Sequence, residues 1–165
     1  MALNIVLVEP EIPQNTGNIA RTCAATGSAL HLIKPLGFSI EDRYLKRAGL
    51  DYWGGVSVQC YDSFEELRSR FGDAVFFFST TKAAKSYTEV AYPEDCFLVF
   101  GKETAGLPEE LLLENSESCI RIPMKSGIRS LNLSNSAAIV IYEALRQNEF
   151  KGFQSKGKMG MEGIE

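Results

Sequence analysis

Three consecutive phenylalanines, Phe76-Phe77-Phe78, constrain the fold of this chain more than any other feature of it. The run over residues 74–79 that holds them is too apolar for a surface strand. It belongs at the centre of a sheet covered on both faces. Residues 96–100 repeat the pattern, 119–122 form a shorter version, and 3–8 open the chain as a β-branched apolar run. Further extended segments are expected at 30–34 and 56–61. Helices are expected at 15–26, 41–47, 63–71 and 107–113, the last started by Pro108. Ser63 with Glu66 three residues on has capping-box spacing. Buried strands alternating with helices predict an α/β domain with a mostly parallel sheet.

Ligands of such sheets sit beyond the carboxyl ends of the strands. Polar segments follow Val8, Phe100 and Ile122, and Ser79-Thr80-Thr81 follows the phenylalanine strand. Four strand ends are therefore expected to converge on one site. Asn15-Thr16-Gly17-Asn18-Ile19-Ala20-Arg21 opens the first helix, where unpaired N–H groups, two asparagines and an arginine suit a phosphate and a ribose hydroxyl. Plain helix capping by Asn15 with a solvated Arg21 fits that segment equally well. In Gly101-Lys102-Glu103-Thr104-Ala105-Gly106-Leu107-Pro108 the glycines permit close backbone approach and Glu103 offers an acceptor. The third segment, Arg129-Ser130-Leu131-Asn132-Leu133-Ser134-Asn135, crowds polar groups at a loop-to-helix junction.

At 165 residues the chain suits one domain, expected over 1–150, with a Gly-, Lys- and Met-rich tail over 151–165 expected to be disordered. A net charge of −4 argues against a strongly basic nucleic-acid-coating module but leaves room for local patches. Lys34, Arg43, Lys46 and Arg47 are candidates for one patch, and Lys151, Lys156 and Lys158 for another. Cys23, Cys60, Cys96 and Cys119 lack metal-finger or redox-motif spacing and read as reduced core residues. No metal cluster is expected. The single histidine, His31, lies inside an expected strand and reads as structural, so a Ser-His or Cys-His pair is disfavoured. Neither a signal peptide nor a membrane-spanning apolar run is visible, which predicts a cytoplasmic protein without membrane contact.

In the last helix, Leu133, Ala137, Val140, Ile141, Ala144 and Leu145 form one apolar stripe. Tyr142 lies about 140° from its centre, beside Ile139 and Arg146. That grouping on the outer face predicts a second buried surface, and homodimerisation is the natural use for it.

In order and spacing, the three polar segments resemble the motifs of SPOUT-class RNA methyltransferases. The resemblance spans residue 3 to about Gln147. Within that class the chain is similar to the small, TrmH-like tRNA 2′-O-methyltransferases that modify the wobble nucleotide, cytidine or uridine. The resemblance implies a deep C-terminal trefoil knot, an exception to the rule against knots. It implies S-adenosylmethionine as co-substrate, no metal, tRNA as substrate, and a homodimer through the last helix that includes Tyr142. Carried over by motif position, Ser79, Thr80, Gly101, Ile122, Met124, Ser130 and Leu131 are the expected cofactor contacts. Arg21 is the leading catalytic candidate, with Asn15, Glu103, Ser130 and Asn132 at the other polar positions. A guanidinium keeps its proton, so Arg21 is expected to orient a phosphate and stabilise a forming alkoxide, the proton passing to phosphate or water. A specially deprotonated Arg21 is the alternative. A 2′-O-methyltransferase acting on another RNA, such as ribosomal RNA, and a non-catalytic nucleotide-binding module remain the competing functions.

Overall fold

The computed structural model describes residues 2–40 and 54–159. The helix expected at 41–47, and with it Arg43, Lys46 and Arg47, lies outside the described residues. In chain order the elements are β1 (Asn4–Val8), α1 (Pro13–Thr26), β2 (Ala29–Ile33), β3 (Val58–Tyr61), α2 (Phe64–Arg70), β4 (Phe76–Ser79) and β5 (Lys85–Ser86). These are followed by β6 (Phe97–Phe100), α3 (Glu109–Glu114), β7 (Cys119–Arg121) and α4 (Leu133–Gln147).

The seven strands form one sheet in the order β3-β2-β1-β6-β4-β7-β5, and every strand pair among the described residues is parallel. The expected α/β class and parallel sheet are therefore observed. From β1 the chain builds outward through β2 to β3. It then crosses back to β4 on the other side of β1, and β6 closes the gap between β1 and β4. The carboxyl ends of β1, β6, β4 and β7 consequently gather at one edge, where a crevice for a ligand opens.

Strand alternation explains the three phenylalanines. Phe77 joins Leu7, Leu98, Phe100 and Ile120 in a core beneath α1 and α4, while Phe76 and Phe78 join Val6, Val99, Tyr61 and Leu67 on the opposite face. Burying each such side chain contributes about 2–3 kcal/mol. The apolar stripe of the last helix is seated as expected, with Ala137, Val140, Ile141, Ala144 and Leu145 all buried. Ser63 caps α2 by accepting from the Glu66 amide at 3.1 Å. The Glu66 carboxylate reaches one residue further back than a capping box requires, accepting from Asp62 N at 2.7 Å.

His31 is buried between Asn4 Oδ1 and the Tyr61 hydroxyl, each 3.0 Å away. Burial lowers its pKa to about 4, which fits a structural rather than a proton-shuttling histidine. Burial likewise pushes the Cys23 and Cys96 thiols up to about 12 and raises those of Cys60 and Cys119, so these free cysteines are poor nucleophiles.

Two surface features are visible near the expected patches and tail. Lys34 pairs with Asp62 at 3.2 Å and Lys151 with Glu94 at 2.9 Å, so neither cation faces solvent alone as a patch residue would. Packing also continues past the start of the expected tail. Phe153 stacks edge-on to Phe150, and both lie against the core. No helix among the described residues is long and apolar enough to cross a membrane.

Candidate active site

Helix α1 begins without local help. Its N-cap, Ile12, has no side-chain acceptor, and its first turn carries no acidic residue. Amides at a helix start need acceptors, and the positive end of the dipole favours an anion. Glu103, far along the chain in the loop after β6, supplies one. Its carboxylate accepts from Glu11 N at 2.8 Å, Ile12 N at 3.0 Å and Asn15 Nδ2 at 3.3 Å.

The chain of bonds continues. Asn15 Oδ1 accepts from Asn132 Nδ2 at 3.0 Å. Asn132 Oδ1 caps α4, accepting from Ser134 N at 2.9 Å, Ser134 Oγ at 2.6 Å and Asn135 N at 3.3 Å. The direction of every bond is fixed from both ends. A carboxylate only accepts at Glu103, and backbone amides only donate at Asn132, so each asparagine amide has one possible orientation. Asn15 is 5% exposed, which makes an unpaired amide there costly. Three motifs far apart in sequence are thus joined by one polar relay.

Beside the relay lies a cleft of about 490 Å³ at the carboxyl edge of the sheet. Its walls are the segments expected to converge: Ser79–Lys82 after β4, Phe100–Leu107 after β6, Ile122 and Met124 after β7, and Arg129–Leu133 before α4. Asn15, Glu103, Ser130, Asn132, Ser79, Thr80, Gly101, Ile122, Met124 and Leu131 all line it. Arg21 does not. It is exposed on α1, six residues beyond Asn15, or about 9 Å along the helix axis. Asn15 is not the cap of α1 either; it sits in the first turn, facing inward.

The strand ladder stops at Arg121, and Ile122, Pro123 and Met124 make no backbone hydrogen bond among the described residues. The Ser130 hydroxyl also makes no hydrogen bond within the described chain. Gly101 must lack a side chain, but for a reason other than ligand approach. A Cβ there would stand 2.3 Å from both Gly106 C and Leu107 N, because the loop folds back against its own start.

Glu11 was absent from the expected site residues, though it joins the same assembly. Its carboxylate accepts from Thr104 N at 3.0 Å and from Thr104 Oγ1 at 2.9 Å. The uncapped start of α1 is a sequence signal for a distant acceptor such as Glu103, but it does not single out Glu11, whose own partner is Thr104.

The family model for the SpoU rRNA Methylase family matches residues 2–142. A relative from Geobacillus stearothermophilus is 54% identical over 155 residues, covering 92% of this chain and 99% of its own. A tRNA (cytidine(34)-2'-O)-methyltransferase from Methylovorus glucosotrophus is 50% identical over 150 residues, covering 90% and 97%. A solved structure concerned with the 2-OH methylation of C/U34 on tRNA superposes with TM-score 0.86 at 44% identity, over 91% of this chain and 98% of that one. With this sheet order, this cleft and matches of this extent, the chain belongs to the SpoU methylase family of RNA methyltransferases.

Proposed function

We propose that this protein transfers a methyl group from S-adenosylmethionine to the ribose 2′-OH of the wobble nucleotide, cytidine or uridine, of tRNA. The observation that carries the reading is the meeting of all three polar motifs at one cleft, joined by the Asn132–Asn15–Glu103 relay. The similarity to tRNA (cytidine(34)-2'-O)-methyltransferases supplies the substrate.

The cleft suits the co-substrate. Its volume falls in the range of small-molecule pockets, about 300–1,000 Å³. The unbonded backbone of Ile122, Pro123 and Met124 offers donor and acceptor groups to an adenine edge. Gly101, Leu131 and Ile122 provide close backbone and apolar walls, and Ser79, Thr80 and Ser130 polar ones. Bound there, S-adenosylmethionine supplies a methyl already activated by a sulfonium, so no covalent enzyme intermediate is needed. The remaining work is to align the 2′-oxygen, exclude water and help remove the hydroxyl proton.

Gly101→Ala is expected to weaken S-adenosylmethionine binding at least about tenfold and lower the melting temperature by about 4 °C or more. The new methyl must push back backbone atoms of the cleft wall, an overpacking cost of about 1–3 kcal/mol. Calorimetry and thermal melts measure the two effects. Parent-like values for both would remove the wall from the site.

Arg21 acts on the substrate from outside the cleft described by one chain. The site is therefore completed in a homodimer built on the outer face of α4, where Tyr142 is 47% exposed beside exposed Arg146 and half-buried Ile139. The Tyr142 ring leans on Phe150, and Arg146 is held by Glu143 at 2.8 Å, which presents both side chains in fixed positions. Tyr142→Ala is expected to shift the protein toward monomer in sedimentation and to lose activity with it. A fully dimeric, fully active variant would count against this face.

Methylation with labelled S-adenosylmethionine, offered bulk tRNA and ribosomal RNA separately, tests the reaction itself. Label is expected on the wobble ribose of tRNA. Label confined to ribosomal RNA transfers the assignment to that substrate, and label in neither RNA overturns it.

A further inference from the structure

Glu11 and Glu103 exchange contacts across the gap between the β1–α1 turn and the loop after β6. The Glu103 carboxylate holds the amides of Glu11 and Ile12, and the Glu11 carboxylate holds the amide and hydroxyl of Thr104. Each residue therefore grips the backbone beside the other's anchor. Such a reciprocal pair fixes separation and rotation together, where a single bond would act as a hinge.

The turn bearing Glu11 is itself braced. Glu9 leaves β1 with φ +50°, a conformation that costs a non-glycine residue energy and persists only where surroundings enforce it. Behind it, Gly37 N donates to Pro10 O at 2.9 Å, and a Cβ on Gly37 would stand 2.7 Å from Glu11 Cα. Glu11 thus projects from a backbone that cannot retreat. On the far side, Thr104 O accepts from Arg129 Nη2 at 3.4 Å, so the clasp extends to the third motif.

We infer that Glu11 is a positioning residue for methyl transfer: through Thr104 it sets the distance between helix α1, which carries Asn15 and Arg21, and the wall of the cofactor cleft. The inference rests on the methyltransferase reading proposed above. Thr104 is exposed, so the clasp adds little to global stability. Its value lies in alignment, where a misplacement of about 1 Å costs on the order of a hundredfold in rate.

The test compares Glu11→Ala and Glu11→Gln with the parent protein in four measurements: single-turnover methylation of tRNA, calorimetric S-adenosylmethionine affinity, thermal melting, and hydrogen exchange of the 102–106 amides. In Glu11→Ala, turnover is expected to fall at least about tenfold while affinity changes less than about threefold and the melting temperature stays within about 2 °C. The Thr104 amide is expected to exchange at least about tenfold faster. Glu11→Gln keeps one acceptor oxygen and is expected to recover part of both the rate and the protection. Turnover within twofold of the parent, or unchanged Thr104 exchange, overturns the inference. So does a fall in turnover that merely tracks a large fall in melting temperature. An inactive parent protein instead overturns the underlying reading, and the exchange data then judge the clasp alone.

Discussion

Arg21→Ala is expected to bind S-adenosylmethionine almost normally and to methylate tRNA at least about a hundredfold more slowly. The asymmetry comes from position. Arg21 lies off the cleft wall, so its truncation leaves the cofactor pocket of its own chain intact. Its expected partners are an RNA phosphate and the oxygen that gains negative charge as the methyl arrives. Contacts that strengthen in the transition state lower turnover when removed, and loss of one such donor costs about a hundredfold or more. Arg21→Lys is expected to rescue little, because an ammonium cannot copy the planar two-point hold of a guanidinium on phosphate. Single-turnover rates at saturating tRNA and cofactor measure this directly. A near-native rate for Arg21→Ala would return Arg21 to an ordinary surface role.

The strands were the most legible part of the sequence because a buried parallel strand leaves an unbroken apolar run, as at Phe76–Phe78 and Phe97–Phe100. The convergence of motifs was legible for the same reason: once strands and their direction are known, the loops leaving their carboxyl ends must share one edge. The two-residue strand β5, Lys85–Ser86, was not legible, since pairing with β7 gives it a ladder without any apolar pattern. Roles within the site were harder still. Glu103, Asn15 and Asn132 stood out as polar residues, yet nothing local says that they bind one another across 88 and 117 residues. Glu11, before an isoleucine and a proline, looks like any surface carboxylate until Thr104 is folded against it. The size requirement at Gly101 was legible, but its cause was not, because the obstructing atoms belong to the residues Gly106 and Leu107 of the same loop.

The relay has a direction, and reversing it gives the most demanding test of the site. Asn132→Asp preserves the shape of the side chain and an acceptor for the α4 amides, so the cap survives and the melting temperature is expected to fall only slightly. At Asn15, however, a carboxylate oxygen now faces Oδ1, acceptor against acceptor. If the Asn15 amide turns over to donate to the new carboxylate, its oxygen is thrust at the Glu103 carboxylate instead. Either way one contact of the buried Asn15 amide becomes repulsive, and Glu103 is pushed from the start of α1. Turnover is expected to fall on the order of a hundredfold, the scale of a misaligned reacting group. Glu103→Gln alone is also expected to slow the reaction, because it removes the negative charge at the α1 N-terminus and one acceptor for Glu11 or Ile12. Together the two substitutions fit. Asn15, turned over, donates to the carboxylate at position 132 and accepts from the new amide at position 103, whose oxygen still reaches one backbone N–H. The double variant is therefore expected to be at least several-fold faster than Asn132→Asp alone, a favourable coupling of a size found between directly bonded neighbours. Single-turnover rates of the parent, both single variants and the double complete the cycle. Simple additivity would mean that the asparagine relay does not transmit orientation between the motifs, and the site would have to be held in register by packing alone.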